Sequence, residues 1–185
     1  MKVKVGISNH HLHLTDEDYK ILFGEHKLTK RNDLNQPGQF ACQERVTIIG
    51  PKSSIENVII VGPTRNYTQV EVSKTDCYKL GIDAPVRDSG DLEGASVVTI
   101  MGPNGKIEKP CAIIANRHIH VDKTILNEKK LVGVKKVSVK INGLKSGIIN
   151  NVHLKETENA YFEIHLDTDD ANAFLLQNGD EVEII

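Results

Sequence analysis

The 185-residue sequence predicts a mainly β protein built as two small β-barrels with short capping α-helices. Three observations carry that expectation. Apolar residues alternate with a period of two along most of the chain, Gly and Pro punctuate the runs at short intervals, and a five-residue histidine motif occurs twice at a constant spacing of 107 positions. With no Trp, four Phe and four Tyr, the cores must rest on Val, Ile and Leu.

The alternating runs predict strands over 2–7, 45–50, 55–61, 68–72, 96–101 and 111–115, then 136–141, 148–154, 160–165 and 181–185. Turn chemistry separates them: Gly50-Pro51-Lys52, Gly62-Pro63, Gly102-Pro103-Asn104-Gly105, Asn142-Gly143 and Asn178-Gly179-Asp180. Many short strands with regular turns favour small barrels over a parallel α/β sheet. Helix signals are few. Thr15 followed by Asp16, Glu17 and Asp18 predicts a capped helix ending before Gly24. Asp122 predicts a second, and Thr168-Asp169-Asp170 a cap for a third through Leu176. The polar stretch 27–39 is expected to be a long loop.

Composition excludes several function classes. Lys and Arg number 23 against 25 Asp and Glu, a formal net charge of −2, which is unsuited to nucleic-acid or anionic-membrane binding through a large positive field. No run reaches the roughly 18 apolar residues of a membrane span. The first residues read as a strand and lack a secretory signal pattern. Cys42, Cys77 and Cys111 are odd in number and widely spaced, as expected of reduced thiols in a cytoplasmic protein.

The chemistry concentrates in the eight histidines. Asn9-His10-His11-Leu12-His13 and Asn116-Arg117-His118-Ile119-His120 align position by position, each after an apolar run and before a helix signal. Residues i and i+2 of a strand point to one side, so His11 with His13, and His118 with His120, can each converge on one point. A single His-x-His is usually an ordinary polar face; two in one chain point to a divalent metal such as zinc. Such a pair leaves a tetrahedral ion short of ligands. His165 and Glu71, both on predicted strands, are candidates for the third. His10 faces away from its neighbours, and His26 and His153 stand alone as surface residues. Arg65, on the turn before the strand bearing Glu71, is placed to bind a phosphate or carboxylate through its forked guanidinium.

Together these stretches resemble the PduL-type phosphotransacylases, also called phosphate propanoyltransferases. The residues that carry the resemblance are Ser8-Asn9-x-His11-x-His13-Leu14, Gln36-Pro37-Gly38-Gln39-Phe40, Gly62-Pro63-x-Arg65, Gln69-Val70-Glu71-Val72-Ser73 and Thr75-Asp76. Leu80-Gly81-Ile82, Pro85-Val86-Arg87-x-Ser89-Gly90, Arg117-His118-Ile119-His120 and the run from His165 through Asp167-Thr168-Asp169 to Ala171-Asn172-Ala173 continue it in family order.

The resemblance implies two β-barrels joined at a cleft: residues 1–9 with 116–185, and 10–115. It implies two zinc ions per chain, one on His11, His13 and Glu71, the other on His118, His120 and His165. It implies Arg65 as the phosphate-binding catalytic residue. Ile7, Ser8, Asn9, Lys52, Ser89 and Asn172 match positions lining the coenzyme A site. The expected activity is transfer of a short acyl group, propanoyl or acetyl, between coenzyme A and inorganic phosphate to give acyl phosphate. Transfer is expected to be direct, in a ternary complex without an acyl-cysteine. The expected enzyme is cytoplasmic and homodimeric, with no nucleic-acid or membrane partner and no microcompartment-targeting extension. Two positions depart from the family pattern: His10 stands where Arg is usual, and Ile59 stands where an Arg contacting coenzyme A is usual. The departure at position 59 implies either weaker coenzyme A affinity or compensation by another cation, such as Lys52 or Lys74.

Overall fold

The computed structural model describes all of residues 1–185. The chain opens with β1 (Lys2–Ser8), β2 (His11–His13) and α1 (Asp16–Phe23), then β3 (Lys30–Asp33), β4 (Phe40–Ile49), β5 (Ser54–Gly62) and β6 (Gln69–Glu71). Next come α2 (Lys74–Leu80), β7 (Val86–Arg87), β8 (Ser96–Met101), β9 (Lys106–Ala115) and β10 (His118–Val121). The remainder is α3 (Lys123–Glu128), β11 (Lys136–Ile141), β12 (Gly147–Glu156), β13 (Glu163–Asp167), α4 (Thr168–Phe174) and β14 (Glu181–Ile184).

The chain divides into two compact units, Met1–Ser8 with Asn116–Ile185, and Asn9–Ala115. In the first, the strands close in the order β1-β13-β10-β12-β11-β14. In the second, pairings run β4-β5-β2-β6-β9-β8 and return from β8 to β4, with β3 and β7 added outside the ring. The protein is therefore mainly β, with two closed six-stranded barrels and four short helices.

The two rings share one pairing scheme. β2 runs parallel to β5 and antiparallel to β6, as β10 does to β12 and β13. β4 and β11 form antiparallel pairs with β5 and β12, and one register shift in each falls at a matching place, Val46/Ile48 and Val137/Val139; the β4–β5 pair has a further shift at Ala41/Arg45. β9 and β1 occupy the same place in their rings, each parallel to the strand that follows the β5-type or β12-type strand. The first strand of the chain thus closes the barrel built mostly from the C-terminal residues, while its counterpart β9 closes the other.

Alternation decides what enters each core. Leu12, Ile48, Val58, Ile60, Val70 and Ile100 pack in one barrel with Leu22 of α1 and Leu80 of α2. Val5, Ile119, Val139, Val152, Ile164 and Leu166 pack in the other. At about 1.5–3 kcal/mol per fully buried aliphatic side chain, these layers supply the main stabilising term.

The helices form where side chains satisfy their first N–H groups. Thr15 accepts from the Asp18 N–H, Asp122 from Ile125 and Asp167 from Asp170. The last corrects the expectation that Thr168 begins a cap: Asp167 is the cap and Thr168 lies inside α4. Helix α2 escaped the sequence reading although Ser73 and Asp76 make a reciprocal capping box and Gly81 closes it in the left-handed region. Residues 27–39 are not wholly loop either, since β3 pairs with β4 through an entirely exposed polar strand. No helix is long and apolar enough to cross a membrane.

Candidate functional site

In the unit Asn9–Ala115, Leu12 enters the core, so its strand neighbours His11 and His13 face the other way. Glu71 of β6 lies directly opposite His11 in the antiparallel register. Backbone carbonyls hold both rings by Nδ1: Asn9 O lies 2.9 Å from His11 and Val61 O 3.1 Å from His13. Because a carbonyl only accepts, each Nδ1 carries the proton and each Nε2 a lone pair. Those Nε2 atoms stand 3.5 Å and 3.9 Å from the Glu71 carboxylate oxygens. Burial, reinforced by the neighbouring His11 ring and the Arg65 guanidinium, pushes the His13 pKa down to about 3. Its imidazole is neutral at physiological pH, the form that binds metal.

The unit containing Asn116–Ile185 repeats this arrangement. Ile119 and Val121 enter the core, and His118 and His120 face away from it. His165 of β13 lies opposite His118 in the antiparallel register. The His118 Nδ1 donates to Asn116 O at 2.8 Å, and the His120 Nδ1 lies 3.3 Å from the Thr157 hydroxyl. The Nε2 atoms of His118 and His120 face each other at 3.2 Å.

In each triad the ligand atoms lie within 4.8 Å of one another, so either group could hold a metal ion. The spacing suits a small tetrahedral divalent ion. A tetrahedral ion with bonds of about 2.0–2.1 Å sets its ligand atoms about 3.3 Å apart, close to the 3.2 Å between the two imidazole nitrogens and the 3.5 Å from His11 to Glu71. A neutral, buried imidazole whose Nδ1–H is anchored to the backbone is the form such a site needs.

Arg65 lies on the turn after β5, its backbone N–H bonded to Leu14 O. Its guanidinium donates to the Tyr67 hydroxyl at 2.7 Å and approaches the Ser89 hydroxyl at 3.5 Å. Gln69 continues the line, donating to Ser89 at 3.0 Å and to Glu71 at 2.7 Å while accepting from the Gly90 N–H at 2.7 Å. A hydrogen-bonded path therefore joins Arg65 to the carboxylate of the triad. Tyr67, Gln69 and Glu163 were not singled out from the sequence. The signal was there for two of them, because Gln69 and Glu163 each stand two residues before a candidate ligand and so share its strand face.

The remaining expected residues fall in both units. Ile7 and Ser8 end β1, and Asn172 is exposed on α4; Lys52, in the turn between β4 and β5, donates its backbone N–H to Leu80 O. Asn9 and Ser89 belong with the Arg65 unit. His10 lies outside the triad, its Nδ1 3.3 Å from Asp76. Lys74 is paired with Asp83 at 2.6 Å, and Ile59 stands in register with His11. His153, read as an isolated surface histidine, is the register partner of His118 and is half-buried.

Residues 4–177 match the sequence profile described as phosphate propanoyltransferase. The chain belongs to the phosphate propanoyltransferase family. A relative of that name from Thermotoga maritima is 48% identical over 187 residues, covering 98% of this chain and 88% of the relative. Phosphate propanoyltransferases from Limosilactobacillus reuteri and Salmonella typhimurium are 41% and 40% identical, each across 92% of this chain and 81% and 82% of theirs. The protein is accordingly an enzyme, an acyltransferase of the phosphate propanoyltransferase family.

Proposed function

We propose that the protein transfers a short acyl group, propanoyl or acetyl, between coenzyme A and inorganic phosphate, with zinc held by His11, His13 and Glu71 and by His118, His120 and His165. The observation that supports this reading is a guanidinium, that of Arg65, tied by Ser89 and Gln69 to a triad that could hold a metal. Zinc bound there would polarise a thioester carbonyl and favour a thiolate at neutral pH.

The chain's own residues have distinct tasks. Arg65 offers a planar fork matched to two phosphate oxygens, and Tyr67 and Ser89 hold that fork in place. Fixing phosphate in one orientation makes its attack on the acyl carbon effectively unimolecular, a large part of the barrier for a heavily hydrated nucleophile. Ile7, Ser8, Asn9, Lys52, Ser89 and Asn172 are the residues assigned to coenzyme A.

The thiols take no covalent part. All three are buried, and burial pushes Cys42 up to about 11, Cys111 up to about 12, and Cys77 upward as well. They are protonated at neutral pH and are poor nucleophiles. Transfer is therefore direct, with both substrates bound together. Propanoyl-coenzyme A consumption measured with and without phosphate tests the reading. Acyl phosphate should form only when phosphate is present. Equal thioester loss without phosphate would make the protein a hydrolase and overturn the proposal.

A further inference from the structure

The two triads differ in one ligand, and the residue two positions earlier differs with it. Gln69 precedes Glu71 in β6, and Glu163 precedes His165 in β13; the two strands hold the same place in their rings. Gln69 is fully buried and Glu163 is 5% exposed, unusual for either residue type without a defined partner. Each has one on the third ligand of its own triad. The Gln69 amide donates to Glu71 Oε1 at 2.7 Å, whereas the Glu163 carboxylate accepts from His165 Nε2 at 2.9 Å.

We propose that Gln69 and Glu163 are matched positioning residues: a donor behind the carboxylate ligand, an acceptor behind the imidazole ligand. The inference rests on the metal reading above. With Nε2–H given to Glu163, the His165 nitrogen presented for coordination is Nδ1. With Oε1 held by Gln69, Glu71 turns Oε2 toward His11 Nε2, 3.5 Å away. The charge is matched as well. A divalent ion on two imidazoles and a carboxylate leaves one net positive charge. On three imidazoles it leaves two, and buried Glu163 restores the value of one.

The backbone makes room for this arrangement. Gly6 is the register partner of His165, and a Cβ there would lie 2.8 Å from the Glu163 carboxyl carbon and 3.1 Å from His165 Cδ2. The corresponding partner of Glu71 is Ile113. In that unit the amide is held from the other side, by Ser89 and the Gly90 N–H.

The test is metal affinity of the full chain, measured by competition with a chromogenic chelator, together with the visible spectrum of the cobalt(II)-substituted protein. Outer partners of metal ligands typically govern affinity by about 10- to 100-fold. Glu163→Gln and, by displacement, Gly6→Ala should each raise the dissociation constant of one metal equivalent by that factor. They should also shift that equivalent's cobalt bands and leave the second untouched. Gln69→Leu should do the same to the other equivalent alone. Circular dichroism and a melting curve that match those of the unsubstituted chain report that both barrels remain folded. Both equivalents keeping their affinity and spectra in all three variants would overturn the inference, as would both weakening together. An unsubstituted chain that binds no divalent ion would overturn the metal reading itself, and this inference with it.

Discussion

The two barrels share a strand order and a register, yet their chemistry is unequal. The loops joining the second and third strands of the matching set, residues 63–68 and 157–162, have equal length. Counted from the preceding strand, Tyr67 and Tyr161 fall at the same position, whereas Arg65 matches Asn159. One barrel thus carries a guanidinium linked to its triad, and the other has an amide at the matching place. Residues 81–94, which bring Ser89 and Gly90 against Gln69, also belong only to the Arg65 barrel. The frame supplies two places where imidazoles converge. The side chains set on it decide what each place does.

The sharpest way to break this comparison is to remove a ligand from one side. His165→Ala and His11→Ala should each leave the chain with one metal equivalent instead of two. Loss of a Lewis-acidic ion worth several kcal/mol should lower turnover on the order of 10³-fold or more in either case. Elemental analysis and initial rates on the same sample check both statements. If one variant keeps near-normal turnover, only the other triad serves the reaction.

Arg65 gives the next largest effect, and here the barrels should diverge. Arg65→Ala should reduce kcat/KM for phosphate by about 10²- to 10³-fold, the range seen when an electrostatic donor is deleted at a reacting centre. Metal content should stay at two equivalents. Asn159→Ala, at the matching place in the other barrel, should change neither. An Arg65 variant that loses metal would show the guanidinium to be structural.

Replacing Cys42, Cys77 and Cys111 together with alanine should leave turnover within about threefold, because protonated buried thiols offer no nucleophile. It should still lower stability, since each sulfur fills space in a packed core. Rates and melting curves on the triple variant separate the two effects. Loss of activity at a temperature where the variant remains folded would put a thiol back into the mechanism.

These contrasts also show which features could be read from the residues. Both His-x-His pairs were legible because a strand's period of two is local. Which carboxylate or imidazole completes each pair was not, because the pairing of His11 with Glu71 and of His118 with His165 is a register set by distant strands. The family resemblance supplied what periodicity left open. Strand β3 was illegible for a different reason. Lys30-Arg31-Asn32-Asp33 is exposed throughout, so no apolar alternation marks it, and its backbone bonds to β4 hold it. In α2 only Cys77 and Leu80 are buried, too short a stripe to show a helical period even though its capping box is written in the sequence. The two barrel cores were the easy part, since Val, Ile and Leu dominate both.

The smallest effect lies in how each His-x-His strand is fastened to the helix after the third ligand. In one barrel Arg117 forks onto Asp170, with Nε to Oδ2 at 2.6 Å and Nη2 to Oδ1 at 2.7 Å. In the other, His10 takes that place and reaches Asp76 at 3.3 Å. Both carboxylates lie in the first turn of their helices, α4 and α2. A bidentate guanidinium contact is stronger than one long imidazole contact, but Arg117 is 41% exposed and solvent screens the pair. Arg117→Ala should therefore cost about 1 kcal/mol or less and lower Tm by about 2–4 °C. His10→Ala should cost less still. The informative change is His10→Arg, which gives Asp76 the fork that Asp170 already has. It should raise Tm by about 1–2 °C without altering metal content. A fall in Tm would mean that the surroundings of Asp76 have diverged too far from those of Asp170 to accept the same fastening.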